Sequence, residues 1–207
     1  MHVHKTALVE EGVSIGAGTR IWSHVHVRAP ARVGRDCIIG EKSYVAYGVE
    51  IGDRVKINAF VYVCTGVVIE DGVMVSAGTI FTNDRHPRAT TPDLRELLSS
   101  DPDEETMGAH VHAGATLGAG SLVGPGVEIG SFAMVGMGAL VTRDVPAFHL
   151  AVGRPARSVG VVCRCGRPLL RFEPDAAPAK MDLHCASCDE GYVCEAGRVA
   201  LLDREPA

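Results

Sequence analysis

Aromatic residues are scarce in this chain: one Trp, four Tyr and five Phe, 5% of 207 residues. Ordinary globular cores draw heavily on rings, because each buries a large apolar area. The core must therefore be built mainly from other residues. No apolar run reaches the ~18 residues that mark a membrane-spanning helix. The opening Met1-His2-Val3-His4-Lys5 has no long apolar stretch behind it, so no secretory signal is expected. Neither sign of charge dominates: 20 Lys and Arg stand against 25 Asp and Glu, for a net charge of −5. This balance disfavours a nucleic-acid surface, which needs a basic excess. With 46% hydrophobic residues, the chain is also too apolar to stay disordered. What it has in excess is glycine, 24 residues or about 12%, against roughly 7% in an average protein.

The glycines belong to a repeat. Aliphatics recur every six residues at Val3, Val9, Ile15, Ile21, Val27, Val33, Ile39, Val45, Ile51, Ile57, Val63, Ile69, Val75 and then Phe81. The period resumes at Val111, Leu117, Val123, Ile129, Val135 and Val141. Two residues before most of these stands a small or β-branched residue, such as Ala7, Thr19, Cys37, Ser43 and Ala115. Residues two apart on a strand share a face, so both sets point inward. Glycines follow one or three residues after the aliphatic, where a corner needs tight backbone angles. Three hexads make one 18-residue triangular coil. Its narrow interior suits Val, Ile, Ala and Thr and has little room for rings. The expected fold is all-β, a parallel β-helix, and a sandwich of alternating strands does not account for twenty hexads in one phase.

The period stops between Phe81 and Val111, in a segment with Pro87, Pro92 and Pro102 that cannot continue a ladder. Thr91-Pro92-Asp93-Leu94 predicts an N-cap, a first-turn proline and a short helix through Leu98. An insertion of this length, about 84–108, is expected to be a functional arm.

Several segments resemble the hexapeptide-repeat acyltransferases, in particular their nucleotide-amino-sugar N-acetyltransferase branch. They are Thr19-Arg20-Ile21-Trp22, Ile51 to Ile57, Gly66 to Val73, and Phe81-Thr82-Asn83-Asp84 with Pro87-Arg88. Near the end of the repeats, Val141-Thr142-Arg143-Asp144-Val145-Pro146 and Val152-Gly153-Arg154-Pro155-Ala156-Arg157 resemble the last coil and G-x-P-A motif of that family. The resemblance covers roughly residues 3–157. It implies a left-handed β-helix, a cytoplasmic homotrimer, acetyl-CoA as donor, and a nucleotide-linked amino sugar, often 3-amino, as acceptor. It also implies CoA phosphates held between subunits near Gly136, Gly138, Arg143, Arg154, Pro155 and Arg157.

The chemistry implied is attack of a neutral amine on a thioester, which positioning and oxyanion donors can carry. Asn83 can donate to a carbonyl, and Asp84 can take a proton or pair with an ammonium. The same two residues could instead simply turn the chain out of the coil. Arg88 is a candidate for substrate binding. His26, Tyr44 and Tyr62 lie 18 apart and form an outward ring ladder, either a subunit interface or a platform for nucleotide or sugar. Two other functions share features of the chain. A sugar O-acetyltransferase needs a stronger base, for which His86, His110 and His112 are placed. A γ-class carbonic anhydrase shares the β-helix, but its His pair five residues apart after a Gly is absent.

Five of seven cysteines follow residue 162. Cys163-Arg164-Cys165 and Cys185-Ala186-Ser187-Cys188 read as two knuckles for a structural tetrahedral zinc, with His184 and Cys194 as alternative ligands. Cys37 and Cys64 are expected to be free thiols. The expected domains are 1–157, the acyltransferase β-helix, and 158–207, a zinc-ribbon-like module capping the coil.

Overall fold

The structure is a computed structural model that describes residues 1–173 and 180–202. Two-residue strands repeat every six residues from His2–Val3 to Ile80–Phe81, and again from His110–Val111 to Leu140–Val141. They stack in parallel into three faces. The first runs from His2–Val3 through Lys56–Ile57 and Thr116–Leu117 to His149–Gly153. The second holds Leu8–Val9, His26–Val27, Tyr44–Val45, Tyr62–Val63, Ile80–Phe81, Leu122–Val123 and Leu140–Val141. The third holds Ser14–Ile15, Arg32–Val33, Glu50–Ile51, Val68–Ile69, His110–Val111 and Glu128–Ile129. Paired residues are 18 apart, as in Arg20↔Ile38 and His26↔Tyr44, so the hexads do close a three-sided parallel solenoid.

The two inward series form the core. Ile21, Val27, Ile39, Ile57, Val63 and Leu117 are fully buried, and Val25, Cys37, Val49, Val61 and Ala115 pack between them. Buried hydroxyls tie coils together rather than sitting unpaired. Thr19 Oγ1 donates to Gly34 O (2.7 Å) and accepts from Cys37 N (3.0 Å). Ser43 Oγ donates to Asn58 O (3.0 Å) and accepts from Val61 N (3.2 Å). Val3 remains exposed because the first coil has a neighbour on one side only.

The corners carry a second regularity. A left-handed residue recurs at most of the sixth positions, Pro30 being an exception, and where glycine is absent His24, Asp36, Lys42, Arg54, Phe60 and Phe132 adopt the same positive φ. The corner thus imposes the conformation, and glycine is its least strained occupant. Gly118 plays a different part: a Cβ there would meet Met137 N at 2.5 Å and Gly136 C at 2.6 Å, backbone that cannot move aside. Gly120, at φ +67°, has nothing within 4 Å. Gly118→Ala should therefore lose about 3 kcal/mol by overpacking. Gly120→Ala should lose only about 1–2 kcal/mol, from its backbone angle. Denaturant melts of the two variants check the order.

The arm contains no helix. Thr91 O accepts from Leu94 N (2.9 Å), Thr91 N donates to Glu96 O (3.0 Å), and Thr90 bridges Leu97 in antiparallel fashion. Pro92 and Asp93 sit at the centre of a turn, and Leu94 at φ +62° breaks the right-handed run that a helix requires. The helix expected through Leu98 is instead a small hairpin. Beyond it, Met107 N donates to Asn83 O (2.9 Å), closing the base of the arm onto the coil.

Past the last coil the chain turns antiparallel. His149–Gly153 pairs with Ala156–Val162, which pairs with Pro168–Arg171, all continuous with the first face. The boundary expected after residue 157 falls inside the strand Ala156–Val162, because this hairpin grows out of the coil itself. A further sheet of Met181–His184, Gly191–Glu195 and Arg198–Leu201 completes the described part of the module. Its core of Phe148, Val161, Cys163, Cys185, Tyr192 and Cys194 packs against Phe132 and Ala147 at the end of the solenoid. His149 Nε2 donates to Gly197 O (2.6 Å) across the same junction. The scarce rings are thus gathered partly here, in a cap that has the width the prism lacks.

Candidate active site

Asn83 ends the uninterrupted coils at the corner between the second and third faces. Tyr47, Thr65 and Asn83 are 18 apart and stack there as one column, consistent with Asn83 Nδ2 donating to Thr65 O at 3.2 Å. That bond uses one of two amide hydrogens, leaving the other and Oδ1 for a ligand. Asp84 Oδ1 accepts from His86 N at 2.7 Å, an Asx turn that carries the chain outward and fixes the carboxylate. The pair thus turns the chain out of the coil, and it also lines a cleft. The cleft, of about 470 Å³, lies between the corner and the arm, with Arg88 and His86 on its wall. Ser99 to Thr106 form the opposite side in part, and Tyr47 OH reaches Ser100 O at 3.4 Å. Asn83, Asp84 and Arg88 are thus brought together. Tyr47 and Thr65 were not singled out from the sequence, although their 18-residue register with Asn83 was available to find them.

The ring ladder exists as geometry. Tyr44 and Tyr62 stack with centroids 5.2 Å apart and planes 7° from parallel, and His26 meets Tyr44 edge-on at 5.4 Å. His26 Nε2 lies 2.9 Å from Glu10 Oε1, which also accepts from Arg28 Nε at 3.2 Å. The ladder runs down the second face, and the column that holds Tyr47 and Asn83 stands at the corner directly after the same strands.

At the far end, Gly136 and Gly138 form a corner, with Gly138 at φ +66°. A Cβ on Gly136 would press Val152 at 2.8 Å, so the hairpin tip packs directly on this corner. Gly153 and Ala156 pair across that tip, with Arg154 and Pro155 at its turn. Arg143, Arg154 and Arg157 have no carboxylate partner among the described residues, and all three are exposed. Arg164 is spent differently, with Nη2 on Glu190 Oε1 at 2.7 Å.

The four knuckle cysteines converge, their sulfurs all within 4.8 Å of one another. Cys163 Sγ is 3.3 Å from Cys188 Sγ, and Cys165 Sγ is 3.6 Å from Cys185 Sγ, without a disulfide. Backbone amides of Ser187 and Cys188 pull the Cys185 thiol down to about 6. Tyr192 OH lies 3.0 Å from Cys163 Sγ and accepts from Arg164 N at 3.0 Å. Neither alternative ligand joins the set. His184 Nε2 turns outward to Asp189 Oδ1 (2.7 Å), and Cys194 is buried in the module core. Cys37 and Cys64 are free and buried in the solenoid, and burial pushes the Cys64 thiol up to about 11.

One cluster was only half legible. His110 and His112 flank Val111 on the third face, away from Asn83 in register, and both rings close on Glu70. Glu128 contacts His112 from the next coil. The pairing escapes an 18-residue count because the arm stretches the separation to 40 and 42 residues.

A solenoid of six-residue repeats, three to a coil, with a side-arm cleft at one corner and a basic hairpin at its end, defines a class of transferase scaffold. The chain belongs to the bacterial hexapeptide transferases. The family described as bacterial transferase hexapeptide (six repeats) matches residues 4–47 and 48–83. The hexapeptide repeat of succinyl-transferase matches residues 110–143, and the two together span just over half the chain. Among relatives, the bifunctional protein GlmU of Aromatoleum aromaticum is 30% identical over 164 residues, covering 71% of this chain and 32% of that protein. The dTDP-3-amino-3,6-dideoxy-alpha-D-galactopyranose 3-N-acetyltransferase of Aneurinibacillus thermoaerophilus is 40% identical over 55 residues, covering 27% of this chain and 29% of that one. The chain spans about a third of the length of the curated relatives it matches. A crystal structure of mutant AntD, an N-acyltransferase from Bacillus cereus, shares the fold, with a TM-score of 0.59 at 21% identity. It covers 72% of this chain and 82% of that chain, and was solved with dTDP-4-amino-4,6-dideoxyglucose and coenzyme A.

Proposed function

We propose that the protein is an acetyl-CoA-dependent N-acetyltransferase acting on the amine of a nucleotide-linked amino sugar. The observation that carries this reading is the corner cleft, where Asn83, Asp84 and Arg88 face one space of about 470 Å³. The family gives the transferase scaffold, and the 3-N-acetyltransferase relative points to a 3-amino sugar as the first substrate to try. In this reading the sugar nitrogen attacks the thioester carbonyl. The free Asn83 N–H faces the oxygen where negative charge develops, and Asp84 orients the amine and relieves it of its proton. The new bond is C–N, the broken one is C–S, and the proton ends on the CoA sulfur. Arg88 supplies charge for the substrate phosphates.

Gly136, Gly138, Arg143, Arg154, Pro155 and Arg157 hold the CoA end of the reaction, with open backbone at the corner and three exposed guanidinium groups for phosphate. The enzyme works as a homotrimer in the cytoplasm, with this end and the cleft completed by a neighbouring subunit. The set of four cysteines fits a structural zinc. Four thiolates around zinc at ~2.3 Å stand roughly 3.8 Å apart, close to the sulfur separations here.

The ladder of His26, Tyr44 and Tyr62 serves as the platform for the nucleotide end. Base stacking on an aromatic contributes roughly 1–3 kcal/mol. Tyr62→Ala should accordingly raise KM for the nucleotide sugar about 5-fold or more and leave kcat nearly unchanged. A changed oligomeric state with an unchanged KM would assign the ladder to the subunit interface. The function itself is tested by CoA-thiol release with nucleotide-linked 3-amino and 4-amino sugars, with hydroxyl analogues as controls. Turnover only with hydroxyl acceptors would convert the reading to an O-acetyltransferase.

A further inference from the structure

The cluster on the third face lies apart from the cleft and from the cysteine module. Glu70 leaves the strand Val68–Ile69 at a corner, and His110–Val111 is the next strand of that face. His110 and His112, two apart, point the same way and bracket the Glu70 carboxylate. His110 Nε2 is 2.8 Å from Glu70 Oε1, and His112 Nδ1 is 3.0 Å from the same oxygen. The rings stack with centroids 4.1 Å apart. Three ligand atoms of two kinds thus converge on one point. Each group remains about one-third exposed, so one side of that point is open to water.

The surroundings fix these atoms in the way a metal site requires. Glu70 Oε2 accepts from Ala113 N at 2.9 Å, which aims Oε1 at the two rings. His112 Nε2 lies 2.6 Å from Glu128 Oε2, so the far nitrogen can donate while Nδ1 presents its lone pair. His110 Nδ1 is 3.8 Å from the same Glu128 oxygen. With His112 neutral and Nε2–H committed to Glu128, two lone pairs face each other across 3.0 Å. Either a second proton on Nδ1, which the Glu128 and Glu70 carboxylates favour, or a cation between the two groups removes that conflict. Ligands at ~2.0–2.1 Å from a tetrahedral centre stand about 3.4 Å apart, so a few tenths of an ångström of opening accommodates the ion.

We propose that Glu70, His110 and His112 form a binding site for a divalent metal of the zinc class, with Glu128 as the orienting partner of His112 and at least one coordination position open. Two imidazoles and one carboxylate suit zinc or a neighbouring first-row divalent ion better than calcium or magnesium, which prefer all-oxygen sets. The ligand set differs in kind from the cysteine cluster, so the two can be read separately.

The test is metal content of the full chain after equilibration with zinc and removal of excess. His112→Gln and Glu70→Gln should each hold one zinc fewer per chain than the unmodified protein, and Glu128→Gln should bind that ion about 10–100-fold more weakly. Cobalt loading distinguishes the sites. Thiolate-to-cobalt absorption should persist in His112→Gln, and melting of the metal-free proteins should coincide. Equal zinc content in the unmodified protein, His112→Gln and Glu70→Gln would overturn the proposal and leave the cluster as a proton-bridged ion pair.

Discussion

Asn83→Ala should lower kcat for acetyl transfer by about 100- to 1,000-fold, the loss typical of removing one oxyanion donor. KM for both substrates should change little, because the interaction is made with charge that develops in the transition state. Stability should fall only slightly. The residue is half-buried, and its one side-chain bond, Nδ2 to Thr65 O, contributes about 1 kcal/mol. Steady-state thiol release together with a thermal melt separates these effects. A large fall in Tm with kcat retained in the folded fraction would make Asn83 a corner residue and nothing more. The amide is already held: Thr65 O fixes its plane, and the column of Tyr47, Thr65 and Asn83 fixes its height. Preorganised donors act without reorganisation at the moment of reaction, and this arrangement provides that condition.

The second large effect concerns the module. Cys185→Ser should remove one zinc per chain and unfold the segment after residue 162, while the solenoid keeps its strand signature. Structural zinc binding in small modules amounts to about 10–16 kcal/mol of apparent free energy. The core here, with Tyr192, Cys163, Cys185 and Cys194 among its buried members, is too small to replace that. Metal analysis, and limited proteolysis for cleavage beyond residue 162, would check it. An intact, protease-resistant module without zinc would show that packing of Phe148 and Phe132 against Tyr192 suffices by itself. The consequence for activity is indirect. The module grows from the hairpin that carries Arg154 and Pro155, so its loss should weaken acetyl-CoA binding more than nucleotide-sugar binding.

Much of the solenoid could be read from the chain because its rule is periodic. An inward Ile or Val every sixth residue needs no knowledge of the partner coil, since every coil obeys the same rule. The convergence of Cys163, Cys165, Cys185 and Cys188 was legible for a similar reason, since the spacing within each pair is local. The arm was not. Thr91-Pro92-Asp93 satisfies a helix start and a tight turn equally well, and only the left-handed Leu94 and the bridge from Thr90 to Leu97 decide between them. The Glu70 partnership with His110 and His112 was hidden because an insertion separates residues that stack on adjacent coils. Left-handed Phe60 and Phe132 were likewise invisible, for the corner geometry overrides residue preference there. In the cleft, Asn83 and Asp84 stood out by their motif. Tyr47 and Thr65 did not, because nothing in either residue's own neighbourhood marks it.

Acetyl transfer to a sugar nitrogen can be read directly from where a label ends in the product. Carbonyl-labelled acetyl-CoA is incubated with the enzyme and a nucleotide-linked 3-amino sugar, and the labelled product is examined by NMR. Label should appear in an amide on the sugar, in step with free CoA thiol, and about 100- to 1,000-fold more slowly with Asn83→Ala. Label in a sugar ester, or thiol release with no label on any nucleotide-linked amino sugar, would contradict acetyl transfer to nitrogen.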